Sequence, residues 1–153
     1  MTPISLATSV EPPEPISPHR ESFFQELRDD RARGRVWRNL VVLRGEPTDY
    51  QRYANEWVYV QSVQAGQDVR ILDLKESAGA ALLLLTGDFW VVESQHVALV
   101  RYDQDNVHRG EVAADDTAAT GYIAAAEMAW AMATPFTSWY ESHPEYRRQQ
   151  LVA

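Results

Sequence analysis

Asp88-Phe89-Trp90-Val91-Val92-Glu93-Ser94-Gln95-His96-Val97-Ala98-Leu99-Val100-Arg101-Tyr102 is the stretch whose reading decides the fold. Two β-branched and aromatic runs, Phe89–Val92 and Val97–Val100, flank the polar segment Glu93–His96, the pattern of a hairpin of buried strands. The remaining helical and strand patterns read as elements packed around it. They predict an α/β (α+β) domain with a single small mixed sheet, the hairpin at its centre and about three helices on its flanks.

The 153 residues, 45% of them hydrophobic, suffice for one core without covalent staples. There is no cysteine, which excludes disulfides, thiolate catalysis and cysteine metal sites and fits a cytoplasmic location. The apolar run Ala80–Leu85 is far short of the roughly 20 residues that span a bilayer. Residues 1–19 hold five of the eight prolines and few large apolar groups, as expected for a flexible arm. The domain is expected over 20–140, followed by a C-terminal tail over 141–153.

Net charge is −8, which makes nucleic-acid affinity unlikely as a general property. Between Arg20 and Arg44, however, seven arginines face only Glu21, Glu26, Asp29 and Asp30. Planar guanidinium groups bind anions bidentately, so this stretch supports a reading as a phosphate or nucleic-acid site through the arginines at 28–44.

In chain order, Ser22 with Gln25 has the spacing of a capping box, Phe23, Phe24 and Leu27 supply a buried side, and Gly34 a stop. Val36–Leu43 reads as a strand with Arg38 at its exposed face or acting as an anion ligand. Thr48 with Gln51 forms a second capping box, opening a helix on which Tyr50, Tyr53 and Trp57 share a face beside Glu56. Ala65–Asp68 is a turn into the strand Val69–Leu72, and Lys75–Gly87 has the alanine and leucine content of a short helix, interrupted by Gly79 and Gly87. A further short strand is expected around Gly110–Ala113. Asp115 or Asp116 caps an alanine-rich helix that Pro135 ends, and part of the segment from Phe136 is expected to dock.

The chain has no G-x-S-x-G, G-x-x-x-x-G-K-[ST] or G-x-G-x-x-G motif, so nucleophile-plus-base and nucleotide-cradling chemistry have no support. The histidines at 19, 96, 108 and 143 show no metal-ligand spacing, and no metal or cofactor is expected. Asp103-x-Asp105-Asn106 opens like a calcium loop but has His108 in the glycine position and Ala114 in the closing glutamate position. Acid–base chemistry needs only a carboxylate or histidine in an apolar pocket, and for that His96, Glu56, Asp103 and Glu111 are the candidates. Tyr53, Trp57, Trp90, Tyr102 and Arg38 are the candidate ligand-binding residues.

Several segments together resemble a family of uncharacterised small actinobacterial proteins, a domain of unknown function. They are Phe23–Glu26, Arg35–Val42, Asp49–Tyr53, Ala65–Arg70, Asp88–Trp90 and the helix with Trp130. The chain departs from the family pattern at Gln67, where an acid is usual, at Glu93, where an aspartate is usual, and at Pro135-Phe136, where Pro-His is usual. Family genes often neighbour helix-turn-helix regulators and specialised-metabolite genes, which implies a regulatory or accessory role. The element order also resembles half of a phospholipase-D-like unit, but that chemistry requires H-x-K and Lys75 follows Asp73 instead. The leading expectation is a non-catalytic binding module for a small molecule or a protein partner, with a helix-turn-helix regulator among the possible partners. The alternatives are a small acid–base tailoring enzyme and the arginine-borne anion site.

Overall fold

The computed structural model describes residues 18–76, 87–105 and 107–147. Residues 1–17 of the proline-rich arm, most of the segment Lys75–Gly87 and the end of the tail from 148 lie outside them. In chain order the elements are α1 (Pro18–Ala32), β1 (Arg38–Leu43), α2 (Asp49–Ala54), a π-helical turn (Asn55–Tyr59), α3 (Val60–Gln64) and β2 (Asp68–Asp73). There follow β3 (Phe89–Val92), β4 (His96–Tyr102), β5 (His108–Ala113), α4 (Asp116–Met132), β6 (Thr134–Pro135), α5 (Phe136–Ser142) and a 3-10 turn (Pro144–Tyr146). The fold is mixed α/β as expected, but its strands form two sheets, β1-β2-β6 and β3-β4-β5, rather than a single one. Among the described residues β6 pairs with the free edge of β2, and the hairpin pairs with the strand that follows it.

The chain divides into two compact units. The described residues up to Asp73 join those from Ala133 in the first, and Leu74–Met132 form the second.

In the first unit β1 and β2 run parallel, from Arg38↔Asp68 to Leu43↔Asp73, joined by the α2–α3 crossover that parallel pairing requires. β2 is central and carries buried Val69, Ile71, Leu72 and Asp73. Val69 and Ile71 pack with Leu43, Phe136 and Trp139 in one core, with Tyr59, Val60 and Val63 against it. A smaller cluster of Phe24, Leu27 and Ala65 seats α1. Gly66 has φ +104, and a Cβ there would meet the Arg31 stem at 3.0 Å, so both backbone freedom and close approach require glycine.

Two expectations in this unit change. α1 starts at Pro18, ahead of the Ser22 box, because proline's fixed φ suits a first helical turn. Ser22 is an exposed residue within the helix, and the Gln25 side chain bonds Asp29 and Arg28 instead. The Thr48 box is present in full, with Thr48 Oγ1 accepting from the Gln51 amide and Gln51 Oε1 accepting from the Thr48 amide.

The second unit is an antiparallel meander with α4 against it. The hairpin turn is Glu93-Ser94, with φ +54 and +58, closed by the Gln95 amide donating to the Val92 carbonyl. Positive φ at both central positions matches the right-handed twist of the strands and is usually met by Asn-Gly. The strands are less buried than the sequence predicts: Trp90 is 52% and Val92 49% exposed. An antiparallel sheet can leave one face to solvent, and a β-branched run does not distinguish the two cases. Asp115 caps α4, its carboxylate accepting from the Ala118 amide at 2.8 Å. The helix ends at Met132, two residues before the expected Thr134, because Thr134-Pro135 becomes β6.

Candidate functional site

The pairing Trp90↔Ala98↔Ala113, with Val92↔His96 and Val100↔Glu111, places Trp90, Val92, His96, Val100 and Glu111 on one face of the β3-β4-β5 sheet. The other face carries Phe89, Val97 and Leu99 and meets α4, where Phe89 packs edge-on to Tyr122 at 4.9 Å. Between Val100 and Tyr102 the register slips, three residues of β5 opposing two of β4, with Gly110 at φ +99 supplying the bulge. The bulge brings His108 and Glu111 to the same face as Tyr102. His108 Nε2 lies 3.3 Å from Glu111 Oε1, and Tyr102 donates to Asp88 at 2.7 Å. Of the sequence candidates, Trp90, His96, Tyr102 and Glu111 therefore share one surface.

Asp103 lies beyond β4 and holds the exit turn. Its carboxylate accepts from the Asp105 and Val107 amides and from Arg109. The Val107 amide, with smaller help from Arg109, holds this carboxyl below its ordinary range against a weaker opposing effect of burial. Its role in the turn is that of a structural carboxylate.

The candidates of the first unit do not converge in this way. Tyr53 is 3% exposed and its hydroxyl accepts from Arg20 at 2.8 Å, which makes it a core residue. Arg38 is exposed at the start of β1. Glu56 and Trp57 fall in the π-helical turn, a geometry frequent at functional sites. The indole nitrogen of Trp57 and the amide nitrogen of Asn55 are buried there with no hydrogen-bond partner among the described residues. Glu56 acts on Tyr140: burial chiefly, then the Glu56 charge, push the Tyr140 hydroxyl above its ordinary range against Arg147. The arginine-rich stretch borders an open depression on α1 where Glu21, Glu26, Asp29 and Asp30 outnumber Arg33 and Arg35.

Sequence reasoning missed one constellation in this unit. Asp73, 5% exposed, ends β2, and ligand atoms of Asp73 and His143 lie within 4.8 Å of each other. The His143 ring stacks with Trp139, at 4.8 Å, and with Tyr146, at 5.3 Å and nearly parallel, and those two rings stack with each other at 5.8 Å. Its Nδ1 lies 2.7 Å from the Trp139 carbonyl and 3.0 Å from Ser142 Oγ. Seventy positions separate the two residues, so no spacing could reveal them; Trp139 and Tyr146 on either side of His143 were the available signal.

A family model, described as a domain of unknown function, matches residues 6–141. The chain belongs to the DUF6879 family. No curated protein and no solved structure matched it. The DUF6879 match covers the whole exposed sheet face and Asp73, and stops two residues short of His143. Among the described residues of this DUF6879 chain no helix is long and apolar enough to cross a membrane.

Proposed function

We propose that this chain is a non-catalytic module that binds a protein partner through the exposed face of the β3-β4-β5 sheet. The observation that carries this reading is the distribution of exposed apolar side chains. Among the described residues, seven of the eight large hydrophobics exposed to solvent lie in the second unit, and Trp90, Val92 and Tyr102 share the face without a helix. Contiguous exposed apolar surface marks interaction sites, and tryptophan and tyrosine are the side chains that anchor them. Small-molecule sites are concave, whereas these residues stand on a sheet surface.

Charge narrows the partner. Residues 74–132 hold nine carboxylates against three cationic side chains, six of the eight net negative charges of the chain. An acidic, aromatic surface suits a partner bearing arginine or lysine beside apolar groups, because cations are attracted both by carboxylates and by aromatic faces. A helix-turn-helix regulator, implied by the family resemblance, is the first such partner to test.

A photo-crosslinking amino acid at Val92, with a control at Thr120 on the exposed side of α4, tests the reading in the native host. The expected result is a cross-linked basic protein from Val92 alone, whose affinity for the purified chain falls at least about tenfold with Trp90→Ala. Undiminished affinity in Trp90→Ala and Val92→Asp would overturn it.

The acid–base enzyme reading draws support from Asp73 and His143, a carboxylate and an imidazole held close together. The anion-site reading draws least, since the arginines of α1 stand among carboxylates: Arg28 pairs with Glu21 at 3.0 Å and Arg35 lies 3.6 Å from Asp30.

A further inference from the structure

We infer that Asp73 and His143 form a binding site for a divalent transition-metal cation of the zinc class. The argument begins with the His143 tautomer. A backbone carbonyl can only accept, so the 2.7 Å contact with Trp139 O assigns the Nδ1 proton, and Nε2 is left as the basic nitrogen. Metal-binding histidines are characteristically prepared in this way, with one ring nitrogen donating to a carbonyl or carboxylate and the other turned to the ion.

The ring has little freedom to turn elsewhere. It stacks with Trp139 and with Tyr146, which also stack with each other, and Tyr146 is itself fixed by Arg52, whose guanidinium lies 5.7 Å from the Tyr146 ring centre and donates to the Glu145 carbonyl at 3.0 Å. Trp139 is 1% exposed, so the stack is anchored in the core. The second ligand is as firmly placed. Asp73 pairs in register with Leu43 at the carboxyl ends of two parallel strands, the end of an open α/β sheet where ligands bind.

An imidazole nitrogen and a carboxylate oxygen are the donor set of zinc and its first-row neighbours. With ligand atoms no more than 4.8 Å apart, a small side-chain adjustment brings both to the roughly 2.0–2.2 Å that zinc takes from nitrogen and oxygen. The inference is independent of the partner-binding reading, since none of its residues lies on the β3-β4-β5 sheet.

The test is a zinc chloride titration of the full chain labelled with nitrogen-15, observed through the imidazole nitrogens. The expected result is an Nδ1-protonated His143 whose Nε2 resonance shifts saturably. Asp73→Asn and His143→Gln are each expected to weaken zinc affinity about tenfold or more. A titration that moves His19, His96 or His108 while leaving His143 unchanged would overturn the inference, as would two folded variants that bind zinc like the parent chain. If Asp73→Asn does not fold, the parent resonance and His143→Gln decide the question.

Discussion

Trp139 and Trp90 are the same residue put to opposite uses. Trp139, on a helix of seven residues, is 1% exposed and stacks with His143 and Tyr146, while Trp90, on a four-residue strand, is 52% exposed. The comparison extends to the units that hold them. Among the described residues, the first unit packs its parallel strands against a helical crossover and α5, whereas in the second α4 packs against one face of the meander and Trp90 and Val92 stand about half exposed on the other. In the first, aromatic area contributes to stability; in the second it forms the docking face proposed above.

The sharpest way to break this contrast is to truncate both tryptophans. Trp139→Ala is expected to destabilise by about 3–5 kcal/mol, the range for deleting a buried aromatic, with a loss of cooperative unfolding in urea. Trp90→Ala is expected to stay within about 0.5 kcal/mol of the parent chain. Equal losses would mean that Trp90 is structural and would remove the basis for the proposed docking face.

Next in size, Thr48→Ala removes the hydroxyl that accepts from the Gln51 amide and should cost about 1 kcal/mol in the same urea experiment. Smaller and of opposite sign, Ser94→Gly should stabilise the hairpin turn by about 0.5 kcal/mol, since φ +58 is strained for serine and ordinary for glycine. A loss of stability there would show that the serine side chain contributes more than its backbone conformation costs.

Titration sharpens the comparison with smaller effects. Burial, opposed by Arg20 and reinforced by Tyr53, raises the Tyr50 hydroxyl, as burial and Glu56 raise that of Tyr140. For a raised group the stabilisation is complete below the unfolded value of about 10 and is lost as pH rises through the folded value. The urea midpoint should therefore fall on the alkaline side, less steeply in Tyr140→Phe. Asp103, in the second unit, is lowered by the Val107 amide, so its contribution is present above the unfolded carboxylate value and lost as pH falls through the folded one. Asp103→Asn should flatten that acid limb.

Much of the fold was legible because it is written locally. Thr48 and Gln51 satisfy a helix start by themselves, Gly34 and Gly66 adopt positive φ where turns were read, and the hairpin runs occur as β3, with the bounds read, and as β4, which extends one residue before and two beyond Val97–Val100. The candidate face was half legible. Trp90, His96, Tyr102 and Glu111 were each named, but their meeting depends on the bulge at Gly110, and the burial of Tyr53 depends on what packs over it. Asp73 and His143 were illegible as a pair because a parallel strand end and a distant helix end meet only through the chain path.

Alone, the amino-acid order determined the Thr48 cap, the turn positions, the absence of sulfur ligands and the acidic balance, since each depends on a residue and its near neighbours. Only the tertiary structure decided that the strands form two sheets, that Trp90 and Val92 stand exposed on one face of the second, and that a carboxylate and an imidazole seventy positions apart lie within 4.8 Å of each other. Those outcomes depend on which surfaces bury each other, and a one-dimensional pattern fixes the preference for burial without naming the partner.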